Sequence, residues 1–158
     1  MKKFLLTIFL FLSACGFSPL YKEVTIQNGN GAVKVTPIPG QYGSVMCQII
    51  QDKLGNNSDS RYTLSVSSPV FSSWDQTIDN KNFATMMGIT GKSSYTLVEN
   101  KTNKPIVSSS TSLSSSYSVV KDPYATTVAE RKVKKELAEQ LAEQISLHVL
   151  GALTGVHN

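Results

Sequence analysis

Two thiols, two imidazoles and an abundance of hydroxyls are the groups in this chain that could do covalent chemistry. Hydrolytic catalysis needs a nucleophile, a base within its reach and an acid that orients the base. Serines are plentiful, but His148 lies among Leu147, Val149 and Leu150, and His157 stands one residue from the carboxyl terminus. Neither is placed as a general base. No cluster of His, Cys and carboxylates has metal-ligand spacing, so the expectation is a non-enzyme with no metal and no cofactor. Cys15 is a different case. It follows Leu12-Ser13-Ala14, behind Met1-Lys2-Lys3 and the nine-residue run Phe4 to Leu12, in which only Thr7 is polar. A positive start, a short apolar core and small residues at the cut are the parts of a secretory signal peptide, and so short a run cannot cross a bilayer core of ~30 Å. Residues 1–14 are therefore expected to export the chain and be removed.

Leu12-Ser13-Ala14-Cys15 resembles the bacterial lipobox, in which cleavage precedes the cysteine and both its thiol and the new amino terminus take acyl chains of the palmitate kind. The competing reading is an ordinary signal peptide cut near Ser13 or Ala14, with Cys15 incidental. Each buried methylene contributes ~0.8 kcal/mol, so one acyl chain binds a membrane reversibly while two or three hold a domain there. Gly16 follows the cysteine, where an aspartate tends to retain such lipoproteins at the inner membrane, and this points to the outer membrane. No other segment approaches eighteen consecutive apolar residues, so the mature chain is expected to be tethered, not embedded.

What remains is long enough for one domain with a real core. The formal charge is +4, and Lys2 and Lys3 leave with the leader, too small a surplus for a nucleic-acid binder. With Cys15 acylated, Cys47 has no disulfide partner; it shares a helical face with Ile50 and Leu54 and is expected to be a small buried apolar residue.

Positioning falls to a short series of elements. Residues 15–31 read as a tether, with Pro19 and Asn28-Gly29-Asn30-Gly31 breaking regularity, and residues 32–158 as the domain. Val33 and Val35 alternate in a short strand before Pro37 and Pro39. Tyr42, Val45, Met46, Ile49, Ile50 and Leu54 form the apolar stripe of a helix that Gly55 and Asn56 stop. Tyr62, Leu64 and Val66 alternate with polar residues in a half-buried strand, so strand, helix, strand predicts a parallel pair with a right-handed crossover. Ser67 to Asn82 reads as an ordered loop, because Pro69, Ser72-Ser73 and Asp79-Asn80 are turn signals. Phe83 to Glu99 is an extended run with Gly88 and Gly91 as candidate bulges or bends, and Asn100 to Lys104 turns it into a hairpin.

The serine-rich stretch Val107 to Val119 has a strict parity. Ser108, Ser110, Ser112, Ser114, Ser116 and Ser118 fall on one face, and Val107, Thr111, Leu113, Tyr117 and Val119 on the other. Period two predicts a strand whose hydroxyl face meets either water or a polar wall. Asp122-Pro123 starts a last helix, in which Val133, Leu137, Leu141, Ile145, Val149 and Leu153 step by four against a charged side.

Cys15-Gly16-Phe17-Ser18-Pro19-Leu20-Tyr21 resembles the mature start of LptE-type lipopolysaccharide-assembly lipoproteins, the alphaproteobacterial branch in particular. Ile38-Pro39, Ser94-Tyr95-Thr96-Leu97, Ser116-Tyr117-Ser118, Asp122-Pro123-Tyr124-Ala125, Val128-Ala129-Glu130-Arg131 and Leu141-Ala142-Glu143-Gln144-Ile145 continue the likeness in order. Ser18 stands where that pattern has arginine, and Ser67 to Asn82 has no counterpart in it. The resemblance implies an α+β fold, a mixed sheet of about four strands packed by two helices in the order β-α-β-β-β-α. It also implies a role: an outer-membrane lipoprotein that plugs and helps assemble an LptD-type β-barrel and binds lipopolysaccharide on its way to the cell surface. Cationic side chains would meet the lipid phosphates, and Lys92, Lys101 and Lys104 on and around the hairpin are the candidates, although edge lysines are often merely solvated. Ser112 and Ser114 are the candidate barrel contacts. The alternative is a general envelope lipoprotein that binds peptidoglycan or another periplasmic protein.

Overall fold

A computed structural model describes residues 33–56, 59–78 and 84–155. Cys15, the leader, the tether of residues 15–31 and His157 lie outside the described residues. Among the described residues the fold is α+β, as expected, with five strands instead of about four: β1 Val33–Val35, α1 Gln41–Leu54, β2 Tyr62–Val66, β3 Val70–Ile78, β4 Ala84–Glu99, β5 Lys104–Ser118 and α2 Pro123–Gly155.

β4 is the hub. Along one edge it pairs antiparallel with β5 over nearly its whole length, from Met86↔Ser118 to Glu99↔Lys104. Along the other edge β3 and β2 lie end to end, with Val70↔Lys92 closing the first pairing and Val66↔Tyr95 opening the second. Ser67-Ser68-Pro69 thus face only Ser93-Ser94, a bulge that tolerates proline's missing N–H. Its hydroxyls hold it: the Ser67 hydroxyl accepts from the Ser94 N–H at 2.9 Å, and buried Ser93 donates its hydroxyl to the Ser67 carbonyl at 2.8 Å. β1 pairs parallel with β2 at Val33↔Tyr62, as strand-helix-strand predicted.

The extra strand is β3, so the loop expected for Ser67 to Asn82 is corrected. The turn signals are real, but Pro69 sits in the bulge and the segment between supplies a free backbone to an edge that β4 holds open. Gly88 and Gly91 are in register, not bulged; the irregularities fall at Asp75/Thr77, Thr77/Ile78 and Leu97/Val98.

The two described helices cover one sheet face. Met46, Ile50 and Leu54 of α1 and Leu137, Leu141, Ile145, Val149 and Leu153 of α2 are buried with Leu64, Tyr95 and Leu97 of the sheet. The period-four reading of α2 therefore holds at every position. Asp122 caps this helix, its Oδ1 accepting from the Tyr124 N–H at 2.9 Å, and Gly55 ends α1 at φ 76° with its N–H on the Gln51 carbonyl. Cys47 departs from expectation in being only half-buried, its sulfur accepting from Gln51 Nε2 at 3.3 Å. Among the described residues no helix is long and apolar enough to cross a membrane.

Candidate functional site

Among the described residues no helix covers the second face of the sheet, and its composition follows from strand alternation. In β4, Ile89, Ser93, Tyr95 and Leu97 turn inward and are buried, which sends Thr90, Lys92, Ser94 and Thr96 outward. Register places Ser114, Ser112, Ser110 and Ser108 beside those four in turn. β2 adds Thr63 and Ser65, opposite Val98 and Thr96, and β3 adds Ser72 opposite Thr90. The parity reading of β5 is thus correct, and its serine row is one stripe of a wider hydroxyl surface that spans several strands.

Some of these hydroxyls satisfy one another across strands: Thr90 with Ser114 at 2.9 Å and Thr96 with Ser108 at 3.0 Å. Ser108, Ser110, Ser112 and Ser114 remain exposed. Short side chains give a surface that another wall can approach closely, and each hydroxyl can turn as donor or acceptor. Among the described strand residues, Lys34 of β1 and Lys92 are the charged side chains on this face, and both are cations. Lys34 stands between Val33 and Val35, whose burial dictates its outward direction. The β4 share of the surface, Thr90, Lys92, Ser94 and Thr96, follows from the same alternation.

The three candidate lysines do not form one site. Lys101 and Lys104 flank the β4–β5 turn, whereas Lys92 lies mid-sheet opposite Ser112, about 24 Å along the strand from Glu99 at ~3.4 Å per residue. At the turn end, a surface hollow of about 350 Å³ is lined by Asp59, Ser60, Arg61, Asn100 and Lys101. Arg61 there donates through Nε and Nη2 to Glu99 Oε1 at 2.9 and 2.8 Å. The guanidinium, then the Thr102 hydroxyl, holds the Glu99 carboxyl below its ordinary value, and the same bond raises Arg61. Lys101 therefore stands beside an already neutralised pair.

His148 is exposed on α2 and meets the Tyr95 hydroxyl through Nδ1 at 3.0 Å. Among the described residues no three His, Cys, Asp or Glu side chains come together as metal ligands would. At the far end of the sheet Trp74, 43% exposed, lies over Gly88, with Val70 on the same face, while Val120, Tyr124 and Val128 stand exposed where α2 begins.

No family model matches the sequence, and no curated protein matches it. Solved structures match the fold. A candidate lipoprotein of Caulobacter crescentus superposes with a TM-score of 0.58 at 18% identity, covering 78% of this chain and 91% of that one. Rare lipoprotein B of Shewanella oneidensis gives 0.57 at 8% identity over 82% of this chain and all of its own. Uncharacterized lipoprotein B of Nitrosomonas europaea gives 0.56 at 13% identity, over 80% and 89%. At these identities the shared property is the fold alone.

Proposed function

We propose that this chain is an outer-membrane lipoprotein of the LptE type, in its alphaproteobacterial branch, held by acylated Cys15. It seats in the lumen of an LptD-like β-barrel, assists that barrel's assembly and binds lipopolysaccharide in transit. The observation that carries the reading is the helix-free sheet face: a broad surface of Ser and Thr hydroxyls whose only strand-borne charges, among the described residues, are Lys34 and Lys92. Such a surface suits a hydrated barrel wall, which it can meet through hydroxyls or bridging water. The fold shared with lipoproteins and the Leu12-Ser13-Ala14-Cys15 pattern support the anchor.

The test is co-isolation from detergent-extracted outer membranes. The barrel should accompany the chain, and depletion should lower the amount of assembled barrel and make the membrane leaky to hydrophobic compounds. Bulky charges introduced as S112E and S114E should mimic depletion while leaving the domain folded, because both positions are exposed. Recovery without a barrel, together with normal surface lipopolysaccharide on depletion, would favour a general envelope lipoprotein instead. Neutralising Lys92, Lys101 and Lys104 should weaken lipopolysaccharide binding in a salt-dependent way at constant melting temperature. Since Lys92 is remote from the other two, its effect should add to theirs.

A further inference from the structure

On the sheet face that no described helix covers, register arranges β3, β4 and β5 into three rows: Trp74, Gly88 and Ser116; then Ser72, Thr90 and Ser114; then Val70, Lys92 and Ser112. Neighbouring rows stand about 7 Å apart, two residues along each strand. In the first row the indole takes the place of the missing Gly88 side chain. A Cβ built there would be equally close to Cε2 and Cζ2, with Cδ2 next at 2.8 Å. A ring presenting the Cε2–Cζ2 bond edge-on would bring Nε1 nearer than Cδ2, so the indole lies flat on the sheet. Trp74 is 43% exposed, which leaves the outer face of its ring open.

A flat indole with one face bare can take the C–H face of a sugar ring or an acyl chain, and its surroundings decide between them. An acyl chain gains by leaving water only where apolar side chains flank it. Here Ser72, Thr90 and Ser116 flank the ring, and apolar Val70 lies two rows off, beside Lys92. Hydroxyls turn as donor or acceptor, as a saccharide's own hydroxyls require, and Thr90 keeps acceptor capacity although it is bonded to Ser114. Exposed Lys92 supplies a cation about 14 Å along β4 from Gly88. We infer that Trp74, Ser72, Thr90 and Lys92 form a binding site for a phosphorylated saccharide. One sugar ring stacks on the indole, its hydroxyls bond to the middle row, and a phosphate one sugar further on meets the Lys92 ammonium. The inference rests on the lipopolysaccharide part of the proposed function and assigns this site to the sugar headgroup, not to the acyl chains. It takes the β3 side of the face and leaves the serine row of β5 to the barrel wall.

The full chain, in a detergent without sugars, is titrated with a diphosphorylated disaccharide that carries no acyl chain. The single tryptophan reports directly, and its emission should shift to the blue and saturate. The chain should prefer this probe about threefold over the same disaccharide without phosphate, and K92Q or high salt should remove the preference. W74L keeps apolar area but not the flat ring and should weaken binding roughly tenfold by ligand-observed NMR. Melting temperature checks that both variants fold. The absence of a saturable response overturns the inference; so does W74L binding as tightly as the wild type, or a phosphate preference that survives K92Q. Intact lipopolysaccharide separates the two levels. If it binds while the disaccharide does not, the saccharide site fails and the proposed function stands; if neither binds, both fail.

Discussion

Trp74 and Gly88 are direct partners in the β3–β4 register, and the indole occupies the space that a side chain at Gly88 would need. A Cβ at Gly88 would overlap the ring atoms Cε2 and Cζ2. The glycine is therefore a seat, and the ring covers a backbone that would otherwise be bare to water. Gly91, three residues on, serves the opposite face, where its missing side chain admits Phe71 and Leu141.

Gly88→Ala should lift the indole off the sheet and cost about 1–3 kcal/mol, as overpacking does. This chain has a single tryptophan, so its fluorescence reports the seat alone. A red-shifted emission at 25 °C, with a lowered melting temperature, is the expected outcome; unchanged emission would mean that the ring is held elsewhere.

Two helical glycines should respond with opposite signs. A Cβ at Gly43 would stand 2.7 Å from the Ile38 carbonyl oxygen, a backbone atom fixed by the chain leading into α1, so Gly43→Ala should destabilise by about 1–3 kcal/mol. Nothing lies within 4 Å of a Cβ at Gly151, so Gly151→Ala should stabilise α2 by roughly 0.5–1 kcal/mol. Urea denaturation of the pair decides the matter.

Thr111 is 6% exposed and its Oγ1 has no hydrogen-bond partner among the described residues. The isosteric Thr111→Val removes an unsatisfied buried hydroxyl and should raise stability by about 1 kcal/mol. A loss of stability in thermal melts would show that the hydroxyl has a partner.

The Arg61–Glu99 pair should mark the acid limb of stability. Arg61 and Thr102 depress the Glu99 carboxyl, so its contribution is complete above the unfolded-state pKa and lost as pH falls through the folded one. NMR titration should find Glu99 below the ordinary glutamate value, and Arg61→Gln should move it upward. Tyr117 shifts the other way: burial, then the nearby Glu130, raises its phenol. Its folded-state preference for the neutral form is lost only as pH climbs past the ordinary tyrosine value.

The parts of the fold that bury a periodic stripe were readable in advance. α2 keeps one apolar residue per four through Leu153, and β5 keeps alternate parity through Ser118, because each pattern is set by the residue's own element. β3 was not readable for the opposite reason. Phe71 is its inward apolar residue against the core, Val70 and Trp74 face out, and what makes it a strand is the open edge of β4, remote in sequence. The same limit applies to the hydroxyl face. Each strand's polar row was present in the sequence, but only register shows that Thr90 meets Ser114 and Thr96 meets Ser108. Separation of Lys92 from Lys101 and Lys104 likewise follows from strand length, not from spacing along the chain.

The hub strand is the fourth of five to be made, and this sets a timetable for the domain. A chain emerging amino terminus first offers β1, α1, β2 and β3 before β4 exists, and of these strands only β1 and β2 pair with each other. Until Glu99 has emerged, the inner residues Tyr62, Leu64, Val66 and Phe71 have neither the sheet nor α2 to cover them. Completion of the sheet therefore waits for β4, which must receive strands made before it as well as the one made after it.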